Sequence, residues 1–224
     1  IMEEIKKYKI LNLYACLGGN RYKWDEVADN LEITAVELDP ELARMYQERF
    51  PNDIVIVADA HQYLLDHYKE FDFIWSSPPC PTHSRMAFSQ KNSKVNYPVS
   101  YPDMKLYQEI IFLDNFFDGK YCIENVIPYY QPLIVGKKRG RHLYWTNFNL
   151  PNDLNCKAPK SSWNQPGLSY LEKYHEIEDL MKNYKAKKRK DSMINNLVDY
   201  EAGKTILETV FGIQRQNTKQ LTLI

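Results

Sequence analysis

Short apolar runs alternate with longer amphipathic stretches from Lys9 to Glu124. The runs are rich in β-branched and aromatic residues, which favour strands, and the longer stretches carry apolar residues at helical spacing. This alternation is typical of an α/β protein, in which parallel strands are joined by helical crossovers. Strands are predicted at residues 10–15, 33–37, 54–57, 71–76 and 121–124. Each run is short and apolar, so we expect the strands to be buried.

Helix signals lie between the strands and near the end of the chain. Helices are predicted at residues 40–50, from 103 to 119 and at 201–211. Pro40 suits the first turn of the first helix, and Asp39 is its expected N-cap. After Asn149 the pattern weakens: residues 151–167 are rich in Pro, Asn and Ser, and residues 170–184 have the pattern of one polar helix. This part is predicted to be a small accessory region.

Composition limits the classes of function. Lys plus Arg and Asp plus Glu both total 29, so no overall basic field favours nucleic acid. A local basic run, from Lys185 to Lys190, is either a phosphate-binding patch or a solvated charged surface. The four cysteines form no CxxC pair, so reduced thiols are expected rather than a zinc site. The chain shows no signal peptide and no membrane-spanning run, which predicts a cytoplasmic protein.

Ligand-type residues follow the first three predicted strands. In open α/β sheets the ligand crevice lies at the carboxyl ends of the strands. Residues 14–20 form a turn of small residues, where the backbone can approach a ligand closely. Glu37, at the end of the second strand, can accept hydrogen bonds from ribose hydroxyls. Asp59, after the third strand, can accept one from an adenine amino group. Each feature alone also fits an ordinary turn or a capping carboxylate. Three such features at consecutive strand ends favour a nucleotide cofactor.

Reactive groups follow the fourth and fifth strands. Cys80 lies in the sequence Pro78-Pro79-Cys80-Pro81, where the prolines stiffen the backbone, and a core strand would not carry three prolines around its thiol. Glu124 emerges from an apolar strand and is expected to be partly desolvated. The sequence Arg139-Gly140-Arg141-His142 adds guanidinium groups that can donate to a carbonyl or to phosphates. The pattern indicates a cysteine nucleophile with a carboxylate partner.

These motifs, in this order, resemble the DNA cytosine-C5 methyltransferase family over residues 10–207. The turn after the first strand resembles the family's Phe-Ala-Gly-x-Gly-Gly loop, residues 77–84 its catalytic Pro-Cys segment, and residues 124–126 its Glu-Asn-Val motif. Residues 35–40 are similar to the ribose-binding segment, residues 58–60 to the adenine-binding segment, Arg139 and Arg141 to the paired arginines, and residues 195–198 to the element that closes the cofactor pocket.

The resemblance implies a Rossmann-like, S-adenosylmethionine-dependent methyltransferase sheet with a small target-recognition insertion. The implied catalytic residues are Cys80, Glu124, Asn125, Arg139 and Arg141. The implied contacts of S-adenosylmethionine are Tyr14, Ala15, Leu17, Gly18, Gly19, Glu37, Leu38, Asp59, Ala60, Pro79 and Asn196. No metal is implied.

The resemblance also implies a covalent reaction. The Cys80 thiolate would add to C6 of a cytosine flipped out of duplex DNA, and the methyl group would go to C5. Glu124 would hydrogen-bond the ring, Arg141 would donate to O2, and Asn125 would orient the Pro-Cys loop. Residues 81–102 are too long for an ordinary connection, and we expect this loop to close over the flipped base and to be mobile without DNA.

Three segments follow from the resemblance: residues 1–147 as catalytic core, residues 148–190 as a target-recognition region and residues 191–224 as a return to the core. The expected partner is double-stranded DNA, and the small recognition region leaves room for a protein partner. The chain departs from the family pattern at Asn12 (usually Asp), Cys16 (Gly), Ser76-Ser77 (Gly-Gly), Pro81 (Gln) and Lys137 (Gln). None of these removes a group that the reaction requires, and the brevity of the chain resembles phage-borne members.

Other functions also fit parts of the pattern. An RNA cytosine-C5 methyltransferase would use the same covalent chemistry. An amino-methyltransferase acting on cytosine N4 or adenine N6 also has a Pro-Pro turn after the fourth strand, but it usually places an aromatic residue where this chain has Cys80. A non-catalytic DNA-binding or regulatory subunit could keep the fold, although the intact Cys80, Glu124 and Arg141 argue against it.

Overall fold

The structure is a computed structural model that describes residues 6–85, 88, 101–156, 168–182, 184 and 190–213. Within these residues, the strands form a single seven-stranded sheet in the order β3-β2-β1-β4-β5-β7-β6. The strands are β1 (Tyr8–Leu13), β2 (Leu31–Glu37), β3 (Ile54–Val57), β4 (Phe73–Ser76), β5 (Lys120–Val126), β6 (Lys137–Arg139) and β7 (His142–Thr146). Strands β1 to β5 are parallel, and β7 runs antiparallel to both β5 and β6.

Helices cover both faces of the sheet. They are α1 (Pro40–Arg49), α2 (Ala60–His67), α3 (Lys105–Phe116), α4 (Leu168–Tyr174), α5 (Glu178–Lys182), α6 (Lys190–Asn195) and α7 (Tyr200–Val210). On one face, Leu64 of α2 and Ile110 of α3 pack with Leu11 and Ile74 of the strands. On the other face, residues of α7, with Ile206 among them, pack with Phe73, Trp75 and Trp24. The parallel α/β fold predicted from the sequence is confirmed, with helices on both faces as parallel sheets require.

The predicted element bounds need several corrections. Strand β1 ends at Leu13 rather than residue 15, because Tyr14 adopts a left-handed φ of 56°. Strand β3 was expected to be buried, but it is an edge strand and Ile54 and Val57 are half-exposed. Strands β6 and β7 were not predicted: β6 is short and polar and gives no apolar signal, and the apolar run of β7 was not assigned to a strand. The first helix is confirmed, with Asp39 accepting from two N–H groups of its first turn.

The single polar helix predicted at residues 170–184 is wrong. The structure has two short helices, α4 and α5, separated at Glu176, which has a φ of 53°. Ile177 and Met181 of this region are buried against Leu42 and Met45 of α1. The Arg49 guanidinium adds a second link by donating to the carbonyl oxygen of His175 at 2.6 Å. Burial against α1, which the local pattern does not encode, therefore decided how this segment folds.

The C-terminal part of the chain packs closely on the turn that follows β1. A Cβ on Gly203 of α7 would lie 2.0 Å from the carbonyl oxygen of Asn20, and a Cβ on Gly19 would lie 2.4 Å from that of Val198. Only glycine permits such close approach of two backbones. Residues 197, 198 and 203 thus pack directly against the turn that follows β1.

Candidate active site

A cavity of about 720 Å³ opens at the carboxyl ends of β1, β2, β4 and β5. This is the edge where the strand order reverses between β1 and β4, and where ligands bind in open α/β sheets. Segments far apart in sequence meet there, from the β1 turn to residues 195–198. The predicted site residues that line the cavity are Tyr14, Ala15, Gly19, Glu37, Leu38, Asp59, Ala60, Pro79, Cys80, Glu124, Asn125, Arg141 and Asn196.

The carboxylate of Glu37 organises the part of the cavity next to the β1 turn. One oxygen accepts from the Cys16 N–H at 2.9 Å and the other from the Asp39 N–H at 2.9 Å. Cys16 has a φ of 47°, a left-handed conformation that is unusual for a residue with a side chain. Each carboxylate oxygen has a second lone-pair direction with which it can accept from a ligand hydroxyl. Glu37 therefore shapes the β1 turn and still offers acceptors to a ligand hydroxyl.

Asp59 lies at the next strand end and has two partners within the protein. Its Oδ1 accepts from the N–H of Gln62, capping α2, and its Oδ2 is 3.3 Å from the ammonium of Lys105. The hydrogen bond from Gln62 and the charge of Lys105 hold the pKa of Asp59 below its usual value. The capping role considered from the sequence is thus present, and the ionised carboxylate still faces the cavity.

The turn that carries Cys80 is held by hydrogen bonds on both sides. The Asn125 side chain donates to the carbonyl oxygen of Pro78 at 2.9 Å, in a buried position. The carbonyl oxygen of Cys80 itself accepts from the N–H groups of His83 at 2.9 Å and Ser84 at 3.0 Å. The contact ties the Asn125 side chain to the backbone of the turn that carries Cys80.

Glu124 is 6% exposed and lines the cavity beside Arg141 and His142. The His142 Nε2 atom lies 3.6 Å from Glu124 Oε1, an ion-pair distance when the imidazole is protonated. Sequence reasoning did not assign His142 a role. The signal that finds it is the strand register: β5 pairs with β7 so that Glu124 lies opposite Tyr144, and His142, two residues from Tyr144, shares that face of the sheet.

Burial raises the pKa of the Cys80 thiol, and the negative charge of Glu124 raises it further. A raised pKa leaves less thiolate at neutral pH. We therefore expect iodoacetamide to modify Cys80 slowly at pH 7, with the rate still rising above the ordinary thiol pKa of about 8.5. Peptide mass spectrometry at several pH values measures this, with Cys80→Ser confirming the modified site. A half-maximal rate below that pH would contradict the expected shift.

Three predicted site residues lie away from the cavity. The Leu17 side chain is fully buried against Leu42 and Met45. Gly18 is packed so tightly that a Cβ would lie 2.4 Å from the Phe50 ring, so it serves the turn and the packing of α1. Arg139 directs its guanidinium to the carbonyl oxygens of residues 150 and 151, where it fixes the segment after β7. Arg141, by contrast, lines the cavity.

The loop that follows Cys80 is described only in part. Its first residues are tied to the segment after β5: Ser84 forms a bridge to Pro128, and the Tyr129 N–H donates to the carbonyl oxygen of His83. The Phe88 ring stacks on that of Tyr129, with centroids 4.2 Å apart. Residues 86, 87 and 89–100 lie outside the described residues, as do residues 185–189 of the basic run. The expected mobility of the loop stays a prediction.

Among the residues that the structure describes, no cluster of three or more His, Cys, Asp or Glu side chains is arranged to hold a metal ion. In the same part of the chain, every helix is too short or too polar to cross a bilayer.

The sheet and the cavity at its carboxyl edge define a Rossmann-like α/β fold. Residues 8–99 match the family described as C-5 cytosine-specific DNA methylase. The match covers the segment that contains β1 to β4 and Cys80, and over this segment it confirms the family resemblance that the motifs predicted. No curated protein gave a match in the sequence comparison.

Solved structures show partial likeness. A mutant of DNMT2 from Spodoptera frugiperda is 25% identical, with 54% of this chain and 36% of that chain covered and a TM-score of 0.38. The Dnmt2 methyltransferase of S. pombe is 17% identical, with 54% and 36% covered and a TM-score of 0.39. A putative DNA modification methyltransferase encoded within an E. coli prophage is 18% identical, with 56% and 34% covered and a TM-score of 0.37. The matches span well under two thirds of these proteins.

Proposed function

We propose that this protein transfers a methyl group from S-adenosylmethionine to carbon 5 of cytosine in double-stranded DNA, through a covalent adduct of Cys80 with a flipped-out base. The observation that carries the proposal is that a thiol and a carboxylate line one cavity, near enough that the charge of Glu124 raises the pKa of Cys80. The family match over residues 8–99 supports cytosine C5 as the acceptor.

The residues of the cavity fit the proposed cofactor. Glu37 offers acceptors for ribose hydroxyls, Asp59 offers one for an adenine amino group, and Tyr14 places an aromatic ring in the cavity wall. Ala15, Gly19, Leu38, Ala60, Pro79 and Asn196 complete the proposed contacts. When bound, S-adenosylmethionine supplies an electrophilic methyl group.

Cys80 provides the nucleophile in this proposal. Carbon 5 of an intact cytosine ring is a poor nucleophile, so the thiolate first adds to C6, forming a bond between sulfur and carbon. The electron pair of the ring double bond moves toward N3, and C5 becomes enamine-like and nucleophilic. After methylation a water molecule acting as base takes the C5 proton, the bond between sulfur and C6 breaks to return the thiolate, and N3 gives its proton back to Glu124. The prolines on both sides of Cys80 hold the sulfur in place during these steps.

Glu124 and Arg141 stabilise the charge that develops on the ring. Glu124, almost fully buried, donates a proton to N3 as the sulfur adds and also accepts from the exocyclic amine. Arg141 donates to O2 with its fixed guanidinium fork. Asn125 contributes through the carbonyl of Pro78, which keeps the Cys80 turn against β5. Arg139 acts indirectly, because its guanidinium is engaged with backbone carbonyls.

Access to a stacked base requires flipping it out of the duplex, at a cost of a few kcal/mol. In the proposal, residues 1–147 and 191–224 form the catalytic unit and residues 148–190 recognise the target, with a protein partner as a further contributor. Since apolar residues of α4 and α5 pack in one cluster with α1, base contacts from these two helices would come from their exposed faces.

Transfer of a labelled methyl group tests the proposal. Purified protein with labelled S-adenosylmethionine should label duplex DNA of mixed sequence, and nuclease digestion should release the label as 5-methylcytosine. Structured RNA of mixed sequence forms the second arm. Labelling of RNA alone would show that RNA, not DNA, is the substrate. Release of the label as N4-methylcytosine or N6-methyladenine would show that the methyl group goes to an amino nitrogen instead of carbon 5. No labelling of either nucleic acid would contradict enzymatic function.

A further inference from the structure

A fully buried carboxylate lies beneath the cavity and has no part in the proposed reaction. Glu109, on α3, is 0% exposed. Its Oε1 accepts from the Tyr14 hydroxyl at 2.6 Å and contacts His61 Nδ1 at 3.0 Å, and its Oε2 accepts from the Ser76 hydroxyl at 2.6 Å. A buried carboxylate is costly unless it is hydrogen-bonded, and three partners offset that cost.

The three partners come from three separate walls of the cavity. Tyr14 belongs to the turn after β1 and lines the cavity itself. His61 lies in the first turn of α2 next to Ala60, and Ser76 ends β4 next to Ser77; both neighbours also line the cavity. One carboxylate therefore links the ends of three segments that are not adjacent in sequence.

Of the three partners, Tyr14 depends most on its hydrogen bond to Glu109, because of its backbone conformation. Its φ of 56° is a left-handed conformation that is unfavourable for a residue with a side chain, so the turn needs contacts that select it. The hydroxyl bond to Glu109 fixes the far end of the ring, while the backbone of the same residue forms the turn. Because of the two attachments, the ring stands as a wall of the cavity before any ligand enters.

We propose that Glu109 is a positioning residue for the cofactor: by holding Tyr14, it preorganises the wall of the cavity where S-adenosylmethionine binds. This inference rests on the proposed function. It extends that function, because Glu109 touches neither the target base nor the nucleophile. A preformed wall spares the ligand the cost of ordering it, so the contribution appears in binding affinity.

The test measures binding of S-adenosylhomocysteine by isothermal titration calorimetry, without nucleic acid. Tyr14→Phe removes only the hydroxyl, and Glu109→Gln keeps the side-chain shape without the charge. Each should weaken binding roughly tenfold, the effect of losing one hydrogen bond to a charged group. The double variant should bind about as weakly as the weaker single variant, because both changes remove the same link.

Tyr121→Phe is the matched control. Tyr121, on β5, donates to the side chain of Asp114 at 3.0 Å, and Asp114 lies on α3, the helix that carries Glu109. Neither Tyr121 nor Asp114 lines the cavity. This variant should lower the thermal unfolding midpoint about as much as Tyr14→Phe does and leave the affinity unchanged. If Glu109→Gln fails to fold, Tyr14→Phe still decides, since it leaves Glu109 with His61 and Ser76.

Two failures can be told apart. If the unmodified protein binds S-adenosylhomocysteine and Tyr14→Phe binds it equally well, or if Tyr121→Phe weakens binding as much, the role of Glu109 is overturned and the proposed function stands. If the unmodified protein does not bind S-adenosylhomocysteine, the proposed function and this inference are both overturned.

Discussion

Cys80→Ser should lower methyl transfer to cytosine by at least about 10³-fold, the order expected when a catalytic nucleophile is removed. A serine hydroxyl is barely ionised near neutral pH, so it cannot add to C6 at a useful rate. Binding of S-adenosylhomocysteine should stay close to that of the unmodified protein, because the change is one atom and Cys80 is not among the proposed cofactor contacts. Single-turnover methyl transfer and calorimetry measure the two effects.

A trapping experiment sharpens this prediction. A duplex with 5-fluorocytosine cannot lose a proton from C5, so the adduct with Cys80 should persist and survive denaturation of the protein. Cys156→Ser is the matched control, because Cys156 does not line the cavity, and it should form the adduct as the unmodified protein does. Full activity in Cys80→Ser, or an adduct mapped to another cysteine, would show that Cys80 is not the nucleophile.

Glu124→Gln should lower kcat by roughly 10²- to 10⁴-fold, the usual range for loss of a general acid or base. Glutamine keeps the shape of the side chain and can still accept a hydrogen bond, but it has no carboxylic acid proton to give to N3. The effect should fall on kcat more than on KM, because the proton is needed as the sulfur adds rather than when the base binds. Steady-state rates at several DNA concentrations separate the two constants.

Glu48→Gln is the control for that comparison. Glu48 is an exposed carboxylate of α1, paired with Arg44 at 3.1 Å and not part of the cavity. Its loss should leave both constants nearly unchanged, as exposed ion pairs contribute little. A Glu124→Gln variant with normal kcat and a raised KM would assign Glu124 to binding and not to catalysis.

Some of the candidate site could be predicted because it is encoded locally. Glu37, Cys80 and Glu124 each follow an apolar run, and the carboxyl ends of parallel strands meet at one edge of a sheet. Asp39 was likewise predicted from a local signal, as the cap of α1, because it directly precedes Pro40. These positions depend on the strand pattern alone, so the structure brings them to the cavity as expected.

Residues whose direction depends on distant contacts could not be predicted. Leu17 and Gly18 belong to the expected cofactor turn, but left-handed residues in that turn rotate them toward α1. The hydroxyl of Tyr14 finds Glu109, 95 positions away, and no local pattern indicates that pair. The region at residues 170–184 carries a polar pattern, yet α1 buries part of it.

Arg139 and Arg141, separated by one residue, show the difference between what the sequence determined and what only the tertiary structure decided. By itself the sequence determined the alternation of strands and helices, and therefore the α/β fold, because apolar periodicity is a local property. It also placed reactive side chains at strand ends, since the fixed φ of proline is local too. Only the tertiary structure decided that Arg141 lines the cavity while Arg139 holds the carbonyls of residues 150 and 151. The pairing of β7 with β5 and β6 fixes those directions, and it is formed between segments whose own patterns do not specify it.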